Sequence, residues 1–342
     1  MATAPVEVSN SPEVGSTNFG VARIVREGLM LSAKKLPPWL FYDEAGSLLF
    51  EQITALPEYY LTRIERELLT EYAGDMIEAA AAGERVRLVE LGAGSADKTR
   101  TLISAALARQ DTVEYRPVDV SESALEAACE RIAAELPKCR TTPTVADYTI
   151  DWVTQLAENT DRELLLWIGS SIGNFEPDEA ALLLKRINRT MQSGDGLLLG
   201  VDLAPVGLGA QHSYGGKSEA CLVSAYDDAA GVTAAFNRNL LVRLNRELDA
   251  DFKLDAFAHR AVWNAGSSRM EMHLESLAEQ WVRIEALDLD VHFAEGERIH
   301  TENSYKYTTE KASMLMAKAG FPVVEKWMDP AGWFAVFLGR KG

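Results

Sequence analysis

Predominantly apolar runs alternate with segments of helical spacing along most of this chain, and this alternation limits its possible folds more than any other feature. The runs are predicted as strands at 85–91, 113–120, 163–169 and 197–202, and the first three are each followed by a segment with apolar residues at helical spacing. Runs of Leu and Val bounded by turns are typical of a parallel sheet that is covered on both faces. The sequence therefore predicts an α/β core.

The pattern extends before and after these runs. A helix is predicted at 63–82, a short strand at 144–147, and a further helix at 309–319. Two final strands, 322–327 and 333–338, are separated only by the turn residues "DPAG". Because a short turn can join antiparallel but not parallel strands, we expect this last pair to be antiparallel.

The alternation of strand and helix patterns stops between the fifth strand and the last helix. This region contains a Gly-rich loop, a helical stretch at 218–248, and the alternating segments "RMEMHL" and "WVRIEALDLDVHF", which favour antiparallel strands. A second, α+β domain is therefore expected to be inserted into the core. The predicted segments are a mobile N-terminal tail (1–17), part of the substrate domain (18–63), the core (64–203), the inserted substrate domain (204–306) and the rest of the core (307–342).

Composition excludes several classes of function. The chain has 342 residues and a net charge of −17, which disfavours a nucleic-acid substrate or an anionic membrane surface. Its three cysteines (Cys129, Cys139 and Cys221) and five histidines show no metal-ligand spacing, so no metal is assigned. The sequence has no signal-peptide pattern and no apolar run of about 20 residues. We expect a cytoplasmic protein with reduced thiols and a small-molecule substrate, and a monomer is favoured.

The segment "RLVELGAGSADKT" (87–99) joins a strand to a helix through a Gly-x-Gly turn. Such a turn either is a tight connection without a ligand or places a ligand at a helix N-terminus. The third glycine of a dinucleotide fingerprint would fall at Asp97, where a carboxylate would repel a pyrophosphate, and no triphosphate-binding motif is present. A ligand without phosphate, such as S-adenosylmethionine, is compatible with this turn.

Two further strand ends favour the same ligand. Asp119 ends the second strand, where a carboxylate can accept hydrogen bonds from both hydroxyls of a ribose. Asp147 and Tyr148 end the third strand, where they suit the amino group and the ring of adenine. Because the carboxyl ends of parallel strands meet at one edge of a sheet, these residues are expected to form one cofactor site.

Longer segments resemble the histidine-specific methyltransferases that make hercynine, histidine trimethylated on its α-nitrogen, for ergothioneine biosynthesis. The resemblance is carried by "FYDEAGSLLFEQITALPEYY" (41–60), "LVELGAGSADKTR" (88–100), "IGSSIGNF" (168–175), "AYDDAAGVTAAFNRN" (225–239) and "TENS" (301–304). It implies a class I S-adenosylmethionine-dependent methyltransferase fold, in which a Rossmann-like seven-stranded sheet ends in an antiparallel hairpin.

The resemblance also implies roles for individual residues. S-adenosylmethionine would be bound by Gly92, Lys98, Asp119, Asp147 and Tyr148. Asn174 and Tyr226 would hold the substrate carboxylate, while Tyr59, Glu302 and Ser304 would surround the imidazole and Met272 would line the ring pocket. Tyr42 occupies the position of a tyrosine that faces the reacting amine. In "TENS", a spacing of two in extended chain directs Glu302 and Ser304 to the same side.

Other readings stay open at this point. The same scaffold could methylate the α-nitrogen of tryptophan or tyrosine, although burying Glu302 against an indole would be costly. A non-catalytic S-adenosylmethionine-binding protein is the alternative from another class, but it would not need the substrate-pocket residues. The loop 204–222 is longer than the family's usual connection and is expected to be a surface insertion, and Tyr148 stands where phenylalanine is common.

Overall fold

The computed structural model describes residues 15–149, 161–205 and 217–342. Helices in this part of the chain are α1 (Gly15–Leu29), α2 (Glu44–Thr54), α3 (Tyr60–Ala81), α4 (Thr99–Arg109), α5 (Glu122–Glu135), α6 (Pro177–Thr190), α7 (Glu219–Tyr226), α8 (Val232–Leu248) and α9 (Thr309–Lys318). Strands are β1 (Val86–Leu91), β2 (Val113–Asp119), β3 (Cys139–Thr141), β4 (Thr144–Val145), β5 (Arg162–Trp167), β6 (Gly196–Asp202), β7 (Phe257–Asn264), β8 (Arg269–Ser276), β9 (Gln280–Ile284), β10 (Leu289–Phe293), β11 (Arg298–Tyr305), β12 (Val323–Met328) and β13 (Phe334–Arg340).

The main sheet has the strand order β12-β13-β6-β5-β1-β2-β3, with β4 also paired to β2. Its pairings are parallel except those of β13, which is antiparallel to both β6 and β12. Strands β1, β5 and β6 are buried along almost their whole length, as expected when helices cover both faces. The predicted class I methyltransferase fold, with its antiparallel C-terminal hairpin, is confirmed.

The third strand position differs from its prediction. A single strand was expected at 144–147, but the chain pairs with β2 in two pieces, first through β3 and then through β4. Pro143 lies in the gap between them and has no N–H group to donate to the ladder. The two short strands therefore occupy one of the seven positions of the sheet.

A second, antiparallel unit is built mainly from residues 217–305. It contains the sheet β11-β8-β7 and the two-stranded sheet β10-β9. The single helical stretch predicted at 218–248 is wrong, because the chain turns between α7 and α8. Gly231 there has φ +75°, and the carboxylate of Asp228 accepts hydrogen bonds from the backbone N–H groups of Val232 (2.9 Å) and Thr233 (2.7 Å).

One apolar core joins this unit to the N-terminal region. It combines residues from 21–61 with residues from 222–299, including Phe41, Leu240 and Phe257. The side chain of Asp43 caps α2 and also accepts a hydrogen bond from Asn239 on α8 (2.7 Å), which ties the two segments together. This packing supports the expected joining of the N-terminal segment to the inserted one, while the exact boundaries at 17, 63, 203 and 306 remain a prediction.

Two sequence-based expectations concern segments that the structure describes only in part. Residues 1–14 of the predicted tail and residues 206–216 of the loop 204–222 lie outside the described residues, and α1 begins inside the predicted tail at Gly15. Among the described residues no helix has the length and apolar character needed to span a membrane.

Candidate active site

Gly92 begins the turn that follows β1 and adopts a left-handed backbone conformation, with φ +65°. A Cβ atom at this position would lie 3.7 Å from the ring of Tyr148. Asp119, at the end of β2, accepts hydrogen bonds from the N–H groups of Gly94 through Oδ2 (2.9 Å) and Ser121 through Oδ1 (3.0 Å). Each carboxylate oxygen therefore keeps a lone pair for a ribose hydroxyl, and the edge of the sheet fits an adenosyl group.

The end of the third strand position lies beside this turn. Asp147 accepts hydrogen bonds through Oδ1 from the backbone N–H (2.8 Å) and the hydroxyl (2.6 Å) of Thr149. The ring of Tyr148 meets Trp167 of β5 edge-on, with the ring centroids 5.9 Å apart. Burial, and then the charge of Asp119, raise the pKa of Tyr148, so its phenol stays neutral. Contacts of Asp147 and Tyr148 with adenine remain a prediction.

Lys98, the fourth polar residue assigned to the cofactor, forms an ion pair with a residue that the sequence analysis did not identify. Its ammonium group donates to Glu65 of α3, whose side chain is fully buried. The other oxygen of Glu65 accepts a hydrogen bond from the N–H group of Gly169, just after β5 (2.7 Å). Lys98 and Glu65 therefore fix the loop that leaves β5, and a contact between Lys98 and the cofactor remains a prediction.

A β-bulge in β11 determines which residues of "TENS" face the interior. His300 pairs with His273 and Glu302 pairs with Met272, so Thr301 is the extra residue. Directly paired residues point to the same face of a sheet, so the bulge brings Glu302 beside Met272 and Ser304 beside Met270. Both methionines belong to the apolar core. The predicted alignment of Glu302 and Ser304 on one side is present.

Asn174 reaches Glu302 because the loop after β5 packs closely on β11. A Cβ atom on Gly173 would lie 2.8 Å from the carbonyl oxygen of Tyr305, so only glycine allows this approach. When the amide of Asn174 is oriented with its NH₂ group toward the neighbouring acceptors, this group donates to Oε1 of Glu302 (3.2 Å) and to the carbonyl oxygen of Asn303 (3.1 Å). The structure thus joins a predicted carboxylate-binding residue to a predicted ring-binding residue.

Tyr226, Ser304 and Lys306 form a buried cluster. The hydroxyl oxygens of Tyr226 and Ser304 are 2.8 Å apart, and Nζ of Lys306 donates to the first at 2.8 Å and to the second at 2.9 Å. Nζ of Lys306 is also 2.7 Å from Asp202, which ends β6. Asp202 accepts a further bond from Tyr60 and is paired with Lys217. Burial alone would raise the pKa of Asp202, but the two lysines hold it below its usual range.

Aromatic rings enclose the space between this cluster and the cofactor edge. Tyr59 meets Tyr226 with their centroids 6.1 Å apart, and Phe50 and Phe236 contact Tyr42 at 5.6 and 5.7 Å. Burial raises the pKa of Tyr42 well above its usual value, and the charges of Glu302 and Asp119 raise it further. Tyr42 is therefore influenced by a residue predicted for the substrate and by one predicted for the cofactor, and its phenol is neutral near pH 7.

Glu302 is a carboxylate of the pocket whose pKa is shifted toward neutrality. Burial raises its pKa to about 7, and the nearby charge of Lys306 opposes this rise. Its charge in turn raises the pKa of Tyr59 and Tyr226, for which burial is the main cause. The pocket thus holds one carboxylate that titrates near neutrality among phenols that remain protonated, an arrangement suited to binding a polar ring.

Four residues of this arrangement had not been predicted from the sequence: Glu65, Asp202, Lys217 and Lys306. Lys306 follows "TENS" at the same spacing of two, so continuing that alternation by one step could have identified it. Asp202 ends a buried strand, which was a detectable signal as well. Among the described residues, no group of three or more His, Cys, Asp or Glu side chains could hold a metal ion.

Comparisons with known proteins agree with this geometry. The family described as "Histidine-specific methyltransferase, SAM-dependent" matches residues 21–341. Histidine N-alpha-methyltransferase of Mycolicibacterium smegmatis is 42% identical over 333 residues, which cover 97% of this chain and 98% of that protein. The protein of the same name from Mycobacterium tuberculosis is 40% identical over 336 residues (98% and 99%). An L-tryptophan methyltransferase of Psilocybe serbica is 28% identical over 365 aligned positions (98% and 97%).

Proposed function

Since the chain belongs to the histidine-specific, S-adenosylmethionine-dependent methyltransferase family, we propose that it transfers three methyl groups to the α-amino nitrogen of L-histidine and so forms hercynine. The observation that carries this proposal is the bulge in β11, which directs Glu302 and Ser304 into one apolar pocket beside Met272. A carboxylate and a hydroxyl on one face match the two nitrogen atoms of an imidazole ring.

The remaining pocket residues suit the rest of an amino acid. Tyr226 offers a phenol that can donate a directional hydrogen bond to a carboxylate and does not ionise near pH 7. Asn174 can donate to the same carboxylate by turning its NH₂ group away from Glu302 or Asn303 when the substrate binds. Tyr42 lies on the cofactor side of the pocket, under the influence of both Glu302 and Asp119. A histidine held in this way would direct its amine toward the carboxyl ends of β1 and β2.

The protein's contribution to the reaction is alignment and exclusion of water. S-adenosylmethionine supplies an electrophilic methyl group when it is bound by Gly92, Asp119, Asp147 and Tyr148. The amine must be neutral to attack, and the phenol oxygen of Tyr42 can accept an N–H bond that aims the lone pair. Because its pKa is raised, Tyr42 is not itself ionised and orients the amine rather than removing a proton by charge. Methylation ends after three transfers because no lone pair is then left.

Tryptophan is the second candidate substrate, since a relative that carries this specificity aligns over nearly the whole chain. Glu302 argues against it. An indole ring offers one N–H group, so the ring would leave either Glu302 or Ser304 unpaired in a buried site. Protonated histidine carries an N–H group on each ring nitrogen and can satisfy both residues.

A competition experiment tests the proposal. The purified protein is incubated with S-adenosylmethionine and an equimolar mixture of the amino acids, and the products are analysed by mass spectrometry. We expect mono-, di- and trimethylated histidine in succession, with the methyl groups located on the α-nitrogen by fragmentation. Methylation of tryptophan or tyrosine in preference to histidine would refute the substrate, and accumulation of only the dimethylated form would refute trimethylation.

A further inference from the structure

Lys306 contacts two residues of the proposed substrate pocket, Tyr226 and Ser304, and has no role in the proposed reaction. Its side chain is completely buried, and an ammonium group has three hydrogens and no acceptor. The three hydrogens are used by Asp202 (2.7 Å), Tyr226 (2.8 Å) and Ser304 (2.9 Å). Lys306 is therefore saturated before any substrate arrives.

This saturation fixes the hydrogen bonds of the two hydroxyl groups. Neither Tyr226 nor Ser304 can donate to Lys306, so their two hydrogens must point elsewhere. The 2.8 Å contact between the two oxygens takes up one of these hydrogens. Among the described residues, the two hydroxyl groups bond only to each other and to Lys306. Of their two hydrogens, one is therefore left to face a substrate.

The proposed function decides which hydroxyl keeps that hydrogen. A carboxylate can only accept, so if Tyr226 holds the substrate carboxylate, Tyr226 must donate to it. Ser304 then donates to the oxygen of Tyr226, accepts from Lys306, and has only a lone pair left for the ring. With the opposite orientation Tyr226 would present a lone pair to a carboxylate, which is repulsive.

We propose that Lys306 is a positioning residue that sets substrate specificity. Its two hydrogen bonds hold the oxygens of Tyr226 and Ser304 together, so that Ser304 donates to Tyr226 and presents to the substrate ring only a lone pair, which requires an N–H group on that ring. This inference rests on the proposed function. Asp202, at the end of β6, balances the charge of Lys306. A residue of the cofactor-binding sheet therefore helps Ser304 of β11 to select the substrate ring.

The chain offers a matched control in Lys217. This lysine is also buried and paired with Asp202, and its other hydrogens go to the carbonyl oxygens of Leu203 (2.7 Å) and Trp333 (2.9 Å). Replacing either lysine by methionine removes one cation from Asp202. Only Lys306→Met also removes the hydrogen bonds to Tyr226 and Ser304.

The test compares histidine with 3-(thiazol-4-yl)alanine and 3-(thiazol-5-yl)alanine, whose rings carry an acceptor nitrogen at one or the other position and no N–H group. The measured quantity is the ratio of kcat/KM for histidine to that for each analogue, or of inhibition constants where turnover is too slow. In Lys306→Met, nothing holds the oxygens of Tyr226 and Ser304 together, so Ser304 can turn its hydrogen to the ring, and we expect the ratio to fall about tenfold. In Lys217→Met we expect it to stay within about twofold of the parent value.

A second variant keeps the proposal testable if Lys306→Met does not fold. Tyr226→Phe removes the acceptor for the hydrogen of Ser304, so that hydrogen turns to the ring and the ratio again falls. Tyr226→Phe also removes a hydrogen bond to the substrate carboxylate. This second loss affects histidine and both analogues equally, so it does not contribute to the change in the ratio. An unaltered ratio in folded Lys306→Met, or in Tyr226→Phe, would overturn the role of Lys306 while histidine methylation by the parent stands. If the parent does not methylate histidine, the proposed function and this inference fall together.

Discussion

Replacing Glu302 by glutamine should make the ligand-free protein more stable and the enzyme less active. The substitution keeps the size and shape of the side chain and removes its charge. Glu302 is a partly buried carboxylate whose pKa burial raises from 4.5 to about 7. The charged form is therefore unfavourable in the folded protein, while histidine binding requires an acceptor at this position.

The effect on stability depends on pH. The folded state binds the proton of Glu302 more tightly than the unfolded state, so it holds more protons between about pH 4.5 and 7. The free energy of unfolding of the parent therefore decreases as the pH rises through this interval. A tenfold change in proton affinity corresponds to about 1.4 kcal/mol, so the loss amounts to about 3 kcal/mol. Glutamine does not titrate, so Glu302→Gln should gain up to this amount relative to the parent at about pH 8.

The effect on activity has the opposite sign. A hydrogen bond to a charged group contributes about 1.5–3 kcal/mol, and one between neutral groups about 1 kcal/mol. The amide oxygen of glutamine still accepts a bond, so kcat/KM for histidine should fall by about 2- to 30-fold. Alanine, which offers no acceptor, should lower it by about 10- to 150-fold.

Glu271 provides the control, because it lies on the opposite face of the same sheet. Although burial raises it, hydrogen bonds from Asn264 and Arg269 bring the pKa of Glu271 below its ordinary value. Glu271→Gln should therefore lose stability at neutral pH and keep the parent's kinetics. Urea unfolding across the pH range and steady-state rates measure both effects. If Glu302→Gln follows the parent's stability at every pH, the burial argument is wrong, and if turnover is unchanged, Glu302 does not bind the ring.

Three further predictions concern the cofactor, the amine and the ring pocket. Asp119→Ala should weaken S-adenosylmethionine binding by about 1.5–3 kcal/mol in calorimetry, and an unchanged affinity in a folded variant would contradict the assigned site. The initial rate at sub-saturating histidine should rise from neutral to alkaline pH, since even the α-amino group of a peptide is half protonated at about pH 8; a flat profile with methyl transfer rate-limiting would remove deprotonation from the mechanism. Glu302→Ala combined with Met272→Val should gain activity on tryptophan as it loses activity on histidine, whereas parental steady-state rates on both substrates would place "TENS" outside the site.

Local signals in the sequence were sufficient for the core of the fold. The buried strands, the glycine turn at Gly92 and the acid of Asp119 are each determined within a few residues, and each is found where it was expected. The helix break at Asp228 and Gly231 also had a local signal, the acid–glycine turn "DDAAG", which the prediction of one continuous helical stretch passed over.

The candidate site could be predicted only in part, because its geometry depends on contacts between distant segments. Spacing alone aligned Glu302 with Ser304, but the face on which they lie is set by the bulge at Thr301 and hence by pairing with β8. Lys306 acquires its role from Asp202, more than 100 residues away in the chain. The functional roles of the site residues remain predictions for the experiments above.

The position of β13 has a consequence for how the protein is made. This strand, residues 334–340, is inserted between β12 and β6 and not added at the outside of the sheet. Until it emerges from the ribosome, β6 has one open hydrogen-bonding edge, and Asp202 at its end lacks the neighbouring backbone that also binds Lys217. Completion of the sheet during synthesis must therefore wait until residues 334–340 have been translated, and chains cut short before β13 would expose an apolar strand edge that favours aggregation.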